Sequence, residues 1–127
     1  MDVFFMYIKK FEDLRVWQKA HELVKRIYSK NEFNFPSNEK YGLESQLKRA
    51  AVSVPANIAE GCRRQHSKEL IQFLGIALGS LSEVRYYLLL CKDLGFLSED
   101  NYKELHEECI IIDKMLDSLI LKIKSAK

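Results

Sequence analysis

Apolar residues recur at intervals of three and four in four separate stretches of this chain, the 3.6-residue period of amphipathic helices. The first stretch carries Leu14, Trp17, Ala20, Leu23, Val24, Ile27 and Tyr28, with Asp13 as its expected N-cap, and fades at Asn31–Asn34. Pro36 and Ser37 mark a loop and a fresh start. A second helix is then predicted from about Asn38 to Cys62, with Leu43, Leu47, Ala50, Ala51, Val54 and Ile58 inward. Pro55 lies inside it, so a kink or brief break is expected near Ala51–Val54. Ser67 is the expected cap of a third helix lined by Leu70, Phe73, Leu74, Ala77, Leu81, Val84, Leu88 and Cys91. Gly95 ends it in the position that favours glycine, and Ser98 caps a fourth helix with Leu105, Cys109, Ile112, Met115, Leu116, Leu119 and Ile123 inward.

No stretch alternates with period two between turn residues, so no strand is predicted. Short connections make successive helices antiparallel neighbours. The expected fold is all-α: an antiparallel up-down-up-down four-helix bundle over residues 11–127, its second helix kinked near Pro55, preceded by an N-terminal arm of residues 1–10.

One polar pattern interrupts this regularity. Arg49, Ser53, Asn57 and Glu60 are spaced i, i+4, i+8 and i+11, which places them on one helix face beside the apolar row. The third helix offers Ser80, Glu83 and Tyr87 at i, i+3 and i+7. Two such rows on adjacent helices can satisfy one another, with Arg49 pairing a carboxylate, and networks of this kind fix register or oligomeric state. Arg49, Ser53, Asn57, Glu60, Ser80 and Glu83 are therefore assigned to a structural polar network.

Charge changes the picture more by its distribution than by its sum. The chain of 127 residues has a formal net charge of +2, yet residues 1–68 hold 13 Lys or Arg against 8 Asp or Glu. Residues 69–127 hold 7 against 10. Such asymmetry fits an anionic partner for the first half or docking of one half on the other. The basic positions singled out as a nucleic-acid surface are Lys19, Lys25, Arg26, Lys48, Arg63, Arg64 and Lys68. They would bind phosphates without reading bases.

Catalytic chemistry finds little support. Bundle di-metal enzymes need an inward Glu-x-x-His, and the residues three after Glu60 and Glu83 are Arg63 and Tyr86. Cys62, Cys91 and Cys109 are odd in number and lack CxxC spacing, which argues for buried thiols in a reducing cytoplasm. Neither a cofactor nor a metal site is expected. The opening MDVFFMYIKK has its basic pair after a short apolar run, the reverse of a secretory signal, and no membrane span is expected.

FEDLRVWQKAHELV at 11–24, YGLESQLKRAAVSVPANIAEG at 41–61 and FLGIALGSLSEV at 73–84 together resemble the small bundle proteins encoded in intervening sequences of bacterial large-subunit ribosomal RNA. The resemblance spans about residues 11–123, and only the N-terminal arm departs from it. It implies a cytoplasmic homopentamer of four-helix bundles. A related accessory protein of diversity-generating retroelements binds nucleic acid through a basic surface, so the resemblance also implies RNA or DNA as a partner. A structural or protein-interaction scaffold without nucleic acid is the alternative.

Overall fold

The computed structural model describes residues 10–29 and 31–126, so the expected arm, apart from Lys10, lies outside the described residues. Four helices form the molecule: α1 (Arg15–Tyr28), α2 (Leu43–Cys62), α3 (Ser67–Asp93) and α4 (Glu99–Ser125). Short 3-10 turns, Phe11–Asp13 and Ser37–Glu39, precede α1 and α2. No strand occurs among the described residues, which contain one isolated antiparallel bridge between Phe33 and Leu97.

Helix α1 packs against α2 and α4, and α3 packs against the same two, which makes a four-helix bundle around one core. The core consists of the predicted stripes. Ala20, Leu23 and Ile27 of α1, Leu47, Ala51, Val54 and Ile58 of α2, Leu74, Ala77, Val84 and Leu88 of α3, and Leu105, Ile112 and Leu116 of α4 are all buried. Val16 joins them where the sequence pattern favours Trp17, which is only partly buried, and Tyr28 is half exposed.

Helix starts depart from the sequence expectation in three places. Asp13 does not cap α1; it belongs to the 3-10 turn, and Leu14 takes the N-cap position without a side-chain bond. α2 begins at Leu43 rather than Asn38 because Gly42, at φ −108° and ψ −114°, breaks the helical path between the two. The orphan amide of Leu43 is met instead by the Glu39 carboxylate at 3.0 Å, a cap delivered from the preceding turn. At α3 the N-cap position is His66, with Ser67 already inside the helix. The fourth start is as expected, with Ser98 Oγ accepting from the Asn101 amide at 3.1 Å. Gly95, at φ +82°, ends α3 in a Schellman motif: the Phe96 amide donates to Cys91 O at 2.8 Å and the Gly95 amide to Lys92 O at 3.0 Å.

Helix α2 runs without a break through the buried Pro55. The turn containing that proline is braced by Asn57, whose amide Nδ2 donates to Ser53 O at 2.8 Å and to Ser53 Oγ at 2.9 Å. Helix α3, unlike the sequence expectation, reaches the length and mean hydropathy (1.3 over its most apolar stretch) of a membrane-crossing segment. In the fold its apolar stripe is spent on α2 and α4, and Ser80 and Arg85 bond to those neighbours.

α2 and α3 lie close together at Gly61, where an added Cβ would stand 2.9 Å from Phe73 Cβ and 3.0 Å from Leu70 Cδ1. Gly61→Ala is therefore expected to cost about 1–3 kcal/mol by overpacking. Gly75→Ala, in mid-α3 with nothing within 4 Å of the new Cβ, should instead stabilise by about 0.5–1 kcal/mol. Urea titrations of the two variants check the contrast; equal effects would mean that the close approach at Gly61 carries no weight.

Candidate functional site

Two polar regions stand out, a seam between α2 and α3 and a scatter of cations. Along the seam, Ser53 Oγ and Ser80 Oγ share a hydrogen bond of 2.8 Å, and Ser80 is 7% exposed. At one end Tyr87 donates its hydroxyl to Gln46 Oε1 at 2.9 Å. Between them Gln46, Arg49, Ala50, Ser53, Ser80, Glu83 and Tyr87 line a groove of about 390 Å³. The two rows meet through their serines, as their spacing anticipates. Their charged members behave differently. Arg49 and Glu83 are exposed and make no ion pair among the described residues, and Glu60 turns to Arg64 on its own helix, at i, i+4, rather than to α3. The hydroxyl pair joins the helices at Ser53 and Ser80, and one turn away Arg49 and Glu83 line the exposed part of the groove.

The cations singled out from sequence do not form one set. Arg26 is half-buried and held by three carboxylates: Nε donates to Glu32, Nη1 to Glu108 at 2.6 Å and Nη2 to Glu104 at 2.7 Å. These bonds hold its pKa well above the ordinary guanidinium value, the Glu32 contact most of all. Arg26 is thus a structural clasp between the end of α1, the loop after it and α4, with three of its five N–H donors committed to carboxylates. Lys48 pairs with Glu44 at 2.8 Å and lies 4.9 Å from the Tyr28 ring. Lys25 makes a loose 3.4 Å contact with Glu22 on the surface. Arg64, besides Glu60, stacks 4.7 Å over Phe73. Lys19, Arg63 and Lys68 are exposed and unpaired among the described residues.

Cysteines and histidines gather nowhere: no group of three or more His, Cys, Asp or Glu able to hold a metal occurs among the described residues. All three thiols are free, and burial pushes Cys62 up to about 11 and Cys91 and Cys109 up to about 12. Such thiols are poor nucleophiles at neutral pH and read as packing groups.

Comparison with known proteins bears on this architecture. The family model described as 23S rRNA-intervening sequence protein matches residues 12–118, nearly the whole bundle. The chain belongs to this family. Among solved structures, the chain is similar to a protein of unknown function from the S23 ribosomal protein family of Bacteroides thetaiotaomicron. It is 29% identical, spans 83% of this chain and 97% of its own, and superposes with a TM-score of 0.74. Comparison with curated proteins gives no match.

Sequence reasoning missed Arg26's role in this intervening-sequence protein, because Glu104 and Glu108 are 78 and 82 residues away along the chain. Arg26→Met leaves three carboxylates facing one another and is expected to cost about 1–3 kcal/mol at neutral pH. A Tm unchanged from the parent would show that the clasp contributes nothing. The thiols give a second expectation. Each holds its proton to higher pH when folded than the ordinary value of 9.0, so their contribution is intact below about pH 9 and is lost as pH rises beyond it. Stability should accordingly decline between pH 9 and about 12, less steeply in Cys109→Ala than in the parent after allowing for the lost packing.

Proposed function

We propose that this protein is a non-enzymatic, cytoplasmic, oligomeric bundle that binds nucleic acid, RNA foremost, through contacts to phosphates. The helices are read as alternating in direction around the bundle, with α2 bending at Pro55, and the oligomer as the homopentamer that the family resemblance implies. The observation that carries the proposal is the placement of the uncommitted cations. Leu14, Arg15 and Val16 share a groove with Met115, Ser118, Leu119 and Lys122, so α1 starts where α4 ends. Tyr28 meets Lys48, so α1 finishes near the start of α2. The remaining end of the bundle therefore collects the start of α1, the end of α2, the start of α3 and the end of α4.

At that end Arg15, Lys19, Arg63, Lys68, Lys122 and Lys124 are exposed and free of ion pairs among the described residues. The opposite end holds the acidic start of α4 and the carboxylates around Arg26. A dipolar bundle of small net charge presents one cationic face, and repetition around a ring multiplies that face. Exposed Tyr86, Ile76 and Val52 supply apolar surface beyond one core, which favours assembly over a lone bundle.

The expected behaviour is sequence-tolerant binding that falls steeply with salt. Arg63→Glu with Lys68→Glu should weaken binding of structured RNA at least tenfold at every sequence tried, while Lys25→Glu with Lys48→Glu, at the other end, should weaken it far less. Filter binding or fluorescence anisotropy at two salt concentrations, with light scattering on the same samples, checks both. An intact oligomer that binds neither RNA nor duplex DNA at low salt replaces this reading with that of a protein-interaction scaffold.

A further inference from the structure

The groove between α2 and α3 has a surplus of polar capacity that the fold itself does not use. Of the two hydroxyl hydrogens on Ser53 and Ser80, one is shared between the serines and neither is donated elsewhere among the described residues. Ser53 Oγ is also occupied as an acceptor by Asn57, so one hydroxyl hydrogen is left to point into the groove whichever serine donates to the other. Gln46, whose Oε1 is taken by Tyr87, has no acceptor for either hydrogen of Nε2 among the described residues. Arg49, on the α2 wall, and Glu83, on the α3 wall, have no hydrogen-bond or ion-pair partner among the described residues, which leaves five guanidinium donors and a carboxylate for a ligand. The groove thus offers donors for an anion on one wall and an acceptor for a cation on the other. Ala50 and the Tyr87 ring are the apolar groups among its lining residues.

From this arrangement we infer that the α2–α3 groove binds a small zwitterion, a free amino acid with a polar side chain. Its carboxylate takes the planar fork of Arg49 together with the spare serine hydroxyl, and its ammonium takes Glu83. A guanidinium matches a carboxylate with two parallel bonds, and an ammonium is a compact donor suited to a single carboxylate. Concavity separates this occupant from a second copy of the chain. The serine floor is sunk to 7% exposure at Ser80, within reach of a small molecule and beyond a flat subunit surface. The site does not depend on the proposed nucleic-acid binding, whose cations lie toward the end of the bundle.

The test is calorimetric titration of the full chain with each of the twenty amino acids, followed by the N-acetyl and carboxamide forms of the best binder. Arg49→Gln and Glu83→Gln change exposed residues, so both variants should keep the Tm and oligomeric state of the parent. The expected result is saturable binding by one or a few polar amino acids. Affinity should drop at least tenfold in each variant, and at least tenfold for the N-acetyl and carboxamide forms on the parent protein. Binding that survives both substitutions would place the ligand elsewhere and overturn the inference. So would no binding by any amino acid at 10 times the protein concentration and above, up to solubility. Dissociation of the oligomer in Arg49→Gln or Glu83→Gln would overturn it in favour of these charges meeting a neighbouring copy.

Discussion

The close apposition of α2 and α3 is the constraint on which the rest of the structure depends. It is the most extensive helix–helix contact in the molecule, and small residues make it possible. Ala50, Ala51 and Gly61 on one side and Ala77 and Ser80 on the other let the two backbones approach until serine hydroxyls touch. Dispersion forces grow steeply as such surfaces close, so a pair of helices packed this way behaves as one rigid slab. α1 and α4 then cover the remaining apolar stripes from either side. The polar groove takes its position from that slab.

Within it, hydrogen bonding and helix geometry reinforce each other around Pro55. A proline inside a helix removes one donor and crowds the carbonyl four residues back. The carbonyl so freed is that of Ala51; beside it Asn57 braces the same turn by donating to the Ser53 carbonyl and to the Ser53 hydroxyl that meets Ser80. One asparagine therefore serves both the backbone of its own helix and the contact with the next. Substituting it disturbs two layers of structure, which explains why this segment carries polar residues where a bundle helix would ordinarily place none.

How much of this was legible in the sequence follows from the range of each interaction. The core stripes were readable because burial imposes its period on the chain directly, and Gly95 and Ser98 because their caps are local. The start of α2 was not readable: Glu39 reaches forward to cap Leu43 across a glycine whose conformation nothing in the pattern announces. The serine contact could be anticipated from matching rows on α2 and α3. The fate of Arg49 and Glu83 could not, since spacing gives the face of a residue and not whether its charge is met. Arg26 looked like any other exposed cation because its partners come from α4 and from Glu32 beyond the helix end.

The end of the bundle that holds Arg26 is fastened in several ways at once. The Asn34 amide donates to Phe96 O at 2.8 Å, Phe33 bridges Leu97, Phe35 lies 5.8 Å from the Phe96 ring, and Arg26 ties Glu32 to α4. The long connection from α1 to α2 and the short one from α3 to α4 are in effect stitched into a single cap. Neither can change length without displacing the other. An insertion in either loop would thus be felt at both, and through Arg26 at α4 as well.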